Sequence, residues 1–303
     1  MSRNAKQEKP SKKRKKQRDN PTTDTTEQQE SKKRERKRQR RSNDESAMLQ
    51  KRPLSFDHKY ILAPMVGASE LPFRLLCRKY GAQAAYTPMM SASQFATSSE
   101  YREQQFSTLS CDRPLVCHVS ANDPEEFAAA ARQARKLGAD AIDLNLGCPQ
   151  RTAFLGHFGS YLLDKKDREL IQNIIRTGVH KSKIPVCVKI RLLDTYQETK
   201  ELVQQLHDAG ASLIAIHARY RATWERKGPG ARDGPAMLDQ IAKLQNELPH
   251  VRIIANGNVI TYDDVKQNLE LTNADGIMSA EGLLDNPALF LGRYGSRDQR
   301  DRK

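Results

Sequence analysis

The residue with the most pointed chemistry is Cys148, set in the run Asn145-Leu146-Gly147-Cys148-Pro149. Gly147 can take backbone angles closed to other residues and Pro149 fixes the exit, so the segment turns sharply and presents the sulfur. A thiol held that way can serve as a nucleophile, a metal ligand or a proton donor; the bland alternative is a small buried apolar side chain. No histidine stands at a short fixed spacing from it, which favours proton donation over a Cys–His nucleophile. Cys77, Cys117 and Cys187 fall in helix-like or strand-like runs and read as the buried apolar kind. Together with Cys111 the five cysteines contain no CxxC pair, a pattern of free thiols in a reducing compartment. A second group of polar residues is periodic. Lys189 and Arg191 are spaced i, i+2, which puts both on one face of a strand, and His217 and Arg219 repeat the spacing. Asn256-Gly257-Asn258 and Ala280-Glu281-Gly282 are small-residue turns in which backbone N–H groups can approach a phosphate, with Glu281 expected to point away from it. His157, His180, His207 and His250 form no HxH or HxxxH pair, so no metal site is expected. The chain also has no P-loop, GxGxxG or GxSxG, which counts against an NTPase, a Rossmann dehydrogenase and a serine hydrolase.

The elements that must position these groups are short apolar runs without clean alternation, as for strands covered on both faces: 60–63, 84–87, 115–119, 141–145, 186–190, 213–217, 252–255 and 276–278. Helical patterns lie between them. One covers 124–137 and stops at Gly138; others cover 168–177 before Gly178 and 199–209 before Gly210, and Thr261 with Asp263 and Asp264 opens another. Eight such alternations predict a (β/α)₈ TIM barrel, with a doubly wound sheet as the alternative. The polar and glycine residues follow nearly every strand: Pro64-Met65 after the first, Pro88-Met89 after the second, Asn145–Pro149 after the fourth. In a barrel all of these gather on the C-terminal face, where active sites form.

Charge divides the chain in two. Residues 1–52 hold 19 Lys/Arg against 8 Asp/Glu, while residues 53–303 hold 32 against 29. The net +14 therefore describes a tail more than a body. The tail is basic at 12–18 and 32–41 and nearly devoid of large apolar residues, so it is expected to be disordered, serving a nuclear import receptor or RNA phosphates. No stretch reaches the length of a membrane span, and no apolar segment follows the basic start as in a secretory signal.

Over residues 56–292 the chain resembles the tRNA-dihydrouridine synthases, and within them the eukaryotic branch acting at positions 16 and 17 of the D-loop. The resemblance is carried by APMVGASELPFRLL (63–76), AYTPMM (85–90), ANDPE (121–125), DLNLGCPQ (143–150), GHFGSYLL (156–163), VKIR (188–191), IHAR (216–219), ANGNV (255–259) and MSAEGLLDNPALF (278–290). It implies FMN, reduced by NADPH or NADH, delivering hydride to C6 of a flipped uracil while Cys148 protonates C5. It also implies cofactor contacts at Pro64, Met65, His118, Lys189, His217, Asn256, Gly257, Asn258, Ala280 and Gly282. Base or RNA contacts fall to Asn145, Arg191 and Arg219, and the setting is the nucleus, the cytoplasm or both.

The chain departs from the family pattern in three places. His118 stands where the family usually has a glutamine at the flavin edge. The segment after the sixth strand, with Tyr220, Trp224 and Asp233-Gly234-Pro235, is irregular. The sequence runs only 13 residues past Phe290, so the usual C-terminal helical tRNA-binding domain is expected to be absent or truncated. Two alternatives stay open: the ANGNV and SAEG turns alone would also allow an FMN-dependent oxidoreductase acting on a small molecule, and His118 with the short C-terminus would allow a weakly catalytic RNA-binding protein derived from the family.

Overall fold

The computed structural model describes residues 54–221 and 234–292; the basic runs of the tail, Trp224 and Asp233 lie outside them. Eight parallel strands form the centre: β1 (Tyr60–Leu62), β2 (Ala84–Tyr86), β3 (Leu115–Ser120), β4 (Ala141–Leu146), β5 (Val186–Leu192), β6 (Leu213–Tyr220), β7 (Ile253–Asn256) and β8 (Gly276–Ser279). Their spatial order is β2-β1-β8-β7-β6-β5-β4-β3, and pairing of Ala85 with Leu115 and Tyr86 with Val116 closes the ring. The sheet is therefore the expected (β/α)₈ barrel and not an open doubly wound sheet. A two-residue segment, Met90–Ser91, extends the second strand alongside the end of β3.

Side chains alternate through the barrel wall. Ile61, Tyr86, Val116, Ala141, Cys187, Leu213, Ile254 and Met278 form one apolar cluster, and two residues further along several of the same strands stand His118, Asp143, Lys189 and Asn256. An apolar floor thus lies beneath a polar layer at the C-terminal end. The other faces of the strands pack against helices α1 (Leu71–Lys79), α2 (Pro124–Lys136), α3 (Arg168–Ser182), α4 (Tyr196–Asp208), α5 (Leu238–Glu247) and α6 (Tyr262–Thr272) in a larger apolar cluster.

The helix starts follow local chemistry. Asp123 caps α2 by accepting from Glu125 N and Glu126 N, and Thr261 and Asp264 form a reciprocal capping box on α6. Helix α4 begins three residues before its expected start, because Thr195 caps it through Glu198 N. The expected end of α3 at Gly178 is corrected: the helix runs to Ser182 and Lys183 supplies the left-handed end, φ 64°. Gly178 is instead a packing glycine, since a Cβ there would lie 2.5 Å from Cε1 of Phe127 on α2. Strands β5 and β6 are longer than expected, so Arg191 and Arg219 lie within strands. A register shift after Arg191 pairs Leu192 with Tyr220 and creates an irregularity around Arg219.

Candidate active site at the barrel mouth

Parallel register assembles the site. Asp143 pairs with His118, Asn145 with Lys189, Arg191 with His217, and His217 with Asn256. Five neighbouring strands thus contribute to one polar layer, although their residues are up to 138 positions apart in sequence.

The Cys148 loop is held from several sides. Asn145 Oδ1 accepts from the backbone N–H groups of Gly147 and Cys148, both at 2.9 Å. Arg191, buried in the wall, donates Nε–H to the Gly147 carbonyl at 3.0 Å. Ser160 donates from both its backbone N–H and its hydroxyl to the Cys148 carbonyl, each at 3.0 Å, and Tyr161 donates to the Pro149 carbonyl at 3.0 Å. The thiol itself is only partly buried. Burial raises its pKa from the ordinary thiol value, against opposing pulls from a Gln150 backbone hydrogen bond and from Arg191. A raised pKa leaves the sulfur protonated at neutral pH, which suits a proton donor better than a nucleophile. Cys77, Cys117 and Cys187 are buried as expected of apolar packing residues, and Cys111 is exposed.

On the strand next to the one that carries Asn145, Lys189 Nζ donates to Asn256 Oδ1 at 3.0 Å, and Asn256 Nδ2 donates to the Met278 carbonyl at 2.9 Å, tying β5, β7 and β8 together. Burial, then Arg191, lowers Lys189 to about 8, with Asp143 pulling the other way. His217 is lowered to about 2 by burial and then by Lys189, Arg191 and Arg219. Arg219 Nη1 donates to His217 Nε2 at 2.9 Å, which requires a lone pair on that nitrogen and agrees with a neutral ring. These shifts mean that three cations converge on one small volume, a positive potential that a phosphate-bearing group would offset.

The two small-residue turns frame that volume. Gly257, at φ 131°, and Asn258, at φ 52°, form a left-handed turn. Asn258 Oδ1 accepts from Ala236 N at 2.9 Å and from Arg219 Nη2 at 3.3 Å. A Cβ on Gly257 would sit 2.6 Å from Ala236 Cβ and 3.3 Å from Arg219 Nη1. A Cβ on Gly282 would sit 2.2 Å from the Val259 carbonyl, so both turns depend on backbone approach. Ala280 precedes the short helix Glu281–Asp285, with Glu281 exposed. Pro64 and Met65 sit half-buried after β1. Ser69 anchors them by accepting from Met65 N at 3.0 Å and donating to Met65 O at 3.1 Å, and Arg74 in turn holds the Ser69 carbonyl. The donors and turns fit FMN: Lys189 and Asn256 for the polar ring edge, and Arg219 with the Gly257 and Gly282 turns for the phosphate.

Sequence reasoning gave Asp143 no role and placed Met89 on the C-terminal face without assigning it a contact. Asp143 is fully buried with Oδ2 2.6 Å from His118 Nδ1, and Met89 Sδ lies 2.9 Å from Asn145 Nδ2. The available signal for Asp143 was a carboxylate inside an apolar strand, spaced i, i+2 from Asn145 on the same face. Among the described residues no group of three His, Cys, Asp or Glu is placed to hold a metal, and no helix is long and apolar enough to cross a membrane.

Comparison with known proteins gives a consistent answer. The family profile described as dihydrouridine synthase matches residues 61–302. A tRNA-dihydrouridine(16/17) synthase [NAD(P)(+)] of Saccharomyces cerevisiae is 46% identical over 235 residues, covering 76% of this chain and 53% of that one. A tRNA-dihydrouridine(16/17) synthase [NAD(P)(+)]-like protein of Mus musculus is 42% identical over 237 residues, covering 78% and 48%. The tRNA-dihydrouridine(20a/20b) synthase [NAD(P)+]-like protein of Homo sapiens is 36% identical, covering 80% and 75%. The chain thus spans about half the length of the 16/17 relatives it matches. Among solved structures, a 2-naphthoyl-CoA reductase in complex with 2-naphthoyl-CoA superposes with a TM-score of 0.55 at 10% identity, over 77% of this chain and 49% of that one, a likeness of fold alone.

Proposed function

The chain belongs to the dihydrouridine synthase family, and from that premise we propose that it reduces uridine to 5,6-dihydrouridine in the D-loop of tRNA, at positions 16 and 17. Its resident cofactor on this reading is FMN, and NADPH or NADH is the external reductant. One observation carries the proposal: the Cys148 thiol, its pKa raised by burial, sits on a braced loop near the cations Lys189, Arg191 and Arg219, which gather around a neutral His217.

FMN, when bound, would supply the electron pair for reduction at C6 of the uracil. Everything else falls to the protein. The Cys148 thiol gives its proton to C5, and the thiolate left behind is reprotonated from solvent, which reaches the partly exposed residue. Arg191 and Asn145 keep the sulfur at a fixed height by gripping Gly147 and the N–H groups of the loop. Lys189, a partly buried cation bonded to Asn256, would offset negative charge on the reduced cofactor. His217, neutral, offers a polar contact that adds no further positive charge. Arg219 and the Gly257 and Gly282 turns take the phosphate.

A target base reaches such a recessed layer only when turned out of the RNA stack, which makes unpaired loop uridines the natural substrates. The basic runs at 12–18 and 32–41 fit an import receptor, and add phosphate affinity for tRNA met in nucleus or cytoplasm. The deciding experiment incubates FMN-loaded full-length protein with NADPH and unmodified tRNA and maps dihydrouridine by position. Product at positions 16 and 17 is expected. No D-loop product from protein that binds and reduces its flavin normally would overturn the proposal.

A further inference from the structure

His118 is 2% exposed, and both of its ring nitrogens are engaged inside the protein. Nδ1 lies 2.6 Å from Asp143 Oδ2, and Nε2 lies 3.0 Å from Asn145 Nδ2. The orientation of the Asn145 amide is not free. Its Oδ1 meets two backbone donors, the N–H groups of Gly147 and Cys148, so turning the amide over would bring an NH₂ against two N–H groups. With Oδ1 committed there, the NH₂ faces His118 and must donate, so His118 Nε2 carries a lone pair. A neutral imidazole then has its proton on Nδ1, and that N–H donates to Asp143.

From this geometry we infer that His118 is a positioning residue in a relay, Asp143–His118–Asn145, which fixes the Cys148 loop from beneath. His118 does not present a free ring nitrogen to the mouth. Asp143 selects the tautomer, the tautomer orients the Asn145 amide, and the amide caps the two N–H groups that set the start of the cysteine turn. The relay members stand on adjacent strands, with His118 paired to Asp143 in register and Asn145 two residues further along the same face. Each hydrogen bond is therefore held by a rigid frame. The remaining neighbours support this reading. The His118 backbone N–H donates to Thr87 Oγ1 at 3.0 Å, and the Tyr86 ring packs edge-on at 6.0 Å between centroids. Burial raises Asp143 above its ordinary carboxylate value, while the bond from His118 and then Lys189 on β5 pull the other way and favour the carboxylate. A His118 protonated on Nε2 would confront the Asn145 NH₂, and either the amide would turn over or the loop cap would be lost.

The inference rests on the reading of Cys148 as the working thiol, but its test needs neither tRNA nor reductant. Full-length protein labelled with ¹⁵N-histidine, with the His118 signal assigned by its loss in His118→Gln, should show a proton on Nδ1 and a pyridine-type Nε2 at neutral pH. A proton on Nε2, alone or together with one on Nδ1, overturns the relay. In parallel, the alkylation rate of Cys148 by iodoacetamide is read by peptide mass spectrometry, with exposed Cys111 as internal reference. Glutamine can accept from Asn145 and donate to Asp143 at once, whereas leucine can do neither. His118→Leu should change the Cys148 rate several-fold with Cys111 unmoved, and His118→Gln should restore most of it. Equal Cys148 rates in wild type and His118→Leu, or no difference between the Leu and Gln variants, overturn the relay. Should His118→Leu fail to fold, the tautomer in the wild-type chain still decides. Failure of tRNA reduction with the expected tautomer and rates would sink the substrate assignment and leave the relay standing.

Discussion

Replacing Lys189 with methionine should move two properties in opposite directions. In the flavin-free protein the ammonium is held at about 8, against its ordinary 10.5, chiefly by burial and then by Arg191. A difference of that size corresponds to about 3 kcal/mol of penalty on the charged form at pH 7, as a ceiling. Solvent reaching this partly exposed side chain reduces it, and losing the hydrogen bond to Asn256 costs about 1 kcal/mol in return. The net for Lys189→Met is a flavin-free protein more stable at pH 7 by about 1 kcal/mol, or roughly 3 °C in Tm for a body of this size. The sign with pH follows from which state holds the proton. Between about 8 and 10.5 the folded lysine is neutral while the unfolded one is charged, so the wild type gains stability as pH rises through that window. The advantage of the variant should therefore shrink across the window and reverse at its upper end, where only the lost hydrogen bond remains. Flavin affinity should fall about tenfold, the worth of one charge-assisted hydrogen bond. Thermal unfolding of the stripped wild type and variant at pH 7 and at pH 10.5, with fluorescence titration of FMN, measures all three. A variant less stable than wild type at pH 7 in the flavin-free state would refute the argument, because it would make the lysine a net stabilising ion-pair member.

Changing Cys148 to alanine should leave the flavin absorbance intact and slow single-turnover uridine reduction by about 10²–10⁴-fold, the usual worth of a positioned acid; loss of the flavin would instead make the loop structural. His217, with its pKa lowered to about 2, stays neutral in the folded state while its unfolded counterpart charges below about 6.5, so it contributes stability that fades as pH falls from there; His217→Asn should flatten that part of a pH–stability curve, and an NMR titration of His217 near 6.5 would contradict this. Gly282→Ala drives a Cβ to within 2.2 Å of the Val259 carbonyl, so FMN binding should weaken by at least about tenfold as the turn shifts, and unchanged affinity would remove that turn from the cofactor site. Gly178→Ala should cost about 1–3 kcal/mol in urea unfolding through overpacking against Phe127, despite alanine's better helix propensity, and Phe127→Leu should recover part of the loss; a stabilised single variant would contradict the packing role.

The barrel itself was legible in the chain. Short two-sided apolar strands, glycine stops at Gly138 and Gly210, and the Thr261 cap are all local features, written in neighbouring residues and so readable without the fold. Gly178 misled because glycine also serves close helix packing, and Phe127, which demands it, lies on another helix. For the site, residue types and i, i+2 spacing marked Cys148, Lys189, Arg191, His217 and the two glycine turns, and family resemblance supplied their roles. What only the tertiary structure decided is how these groups constrain one another. Parallel register, a pairing between distant segments, sets His118 beside Asp143 and Asn145 beside Lys189. Only then does a histidine noticed merely as a departure become a link with a definite tautomer. Only then does the gathering of Lys189, Arg191 and Arg219 around His217 carry a charge state. Hydrogen bonds and Coulomb interactions fall away within a few ångströms, so their partners are fixed by proximity in space, which a linear pattern does not record.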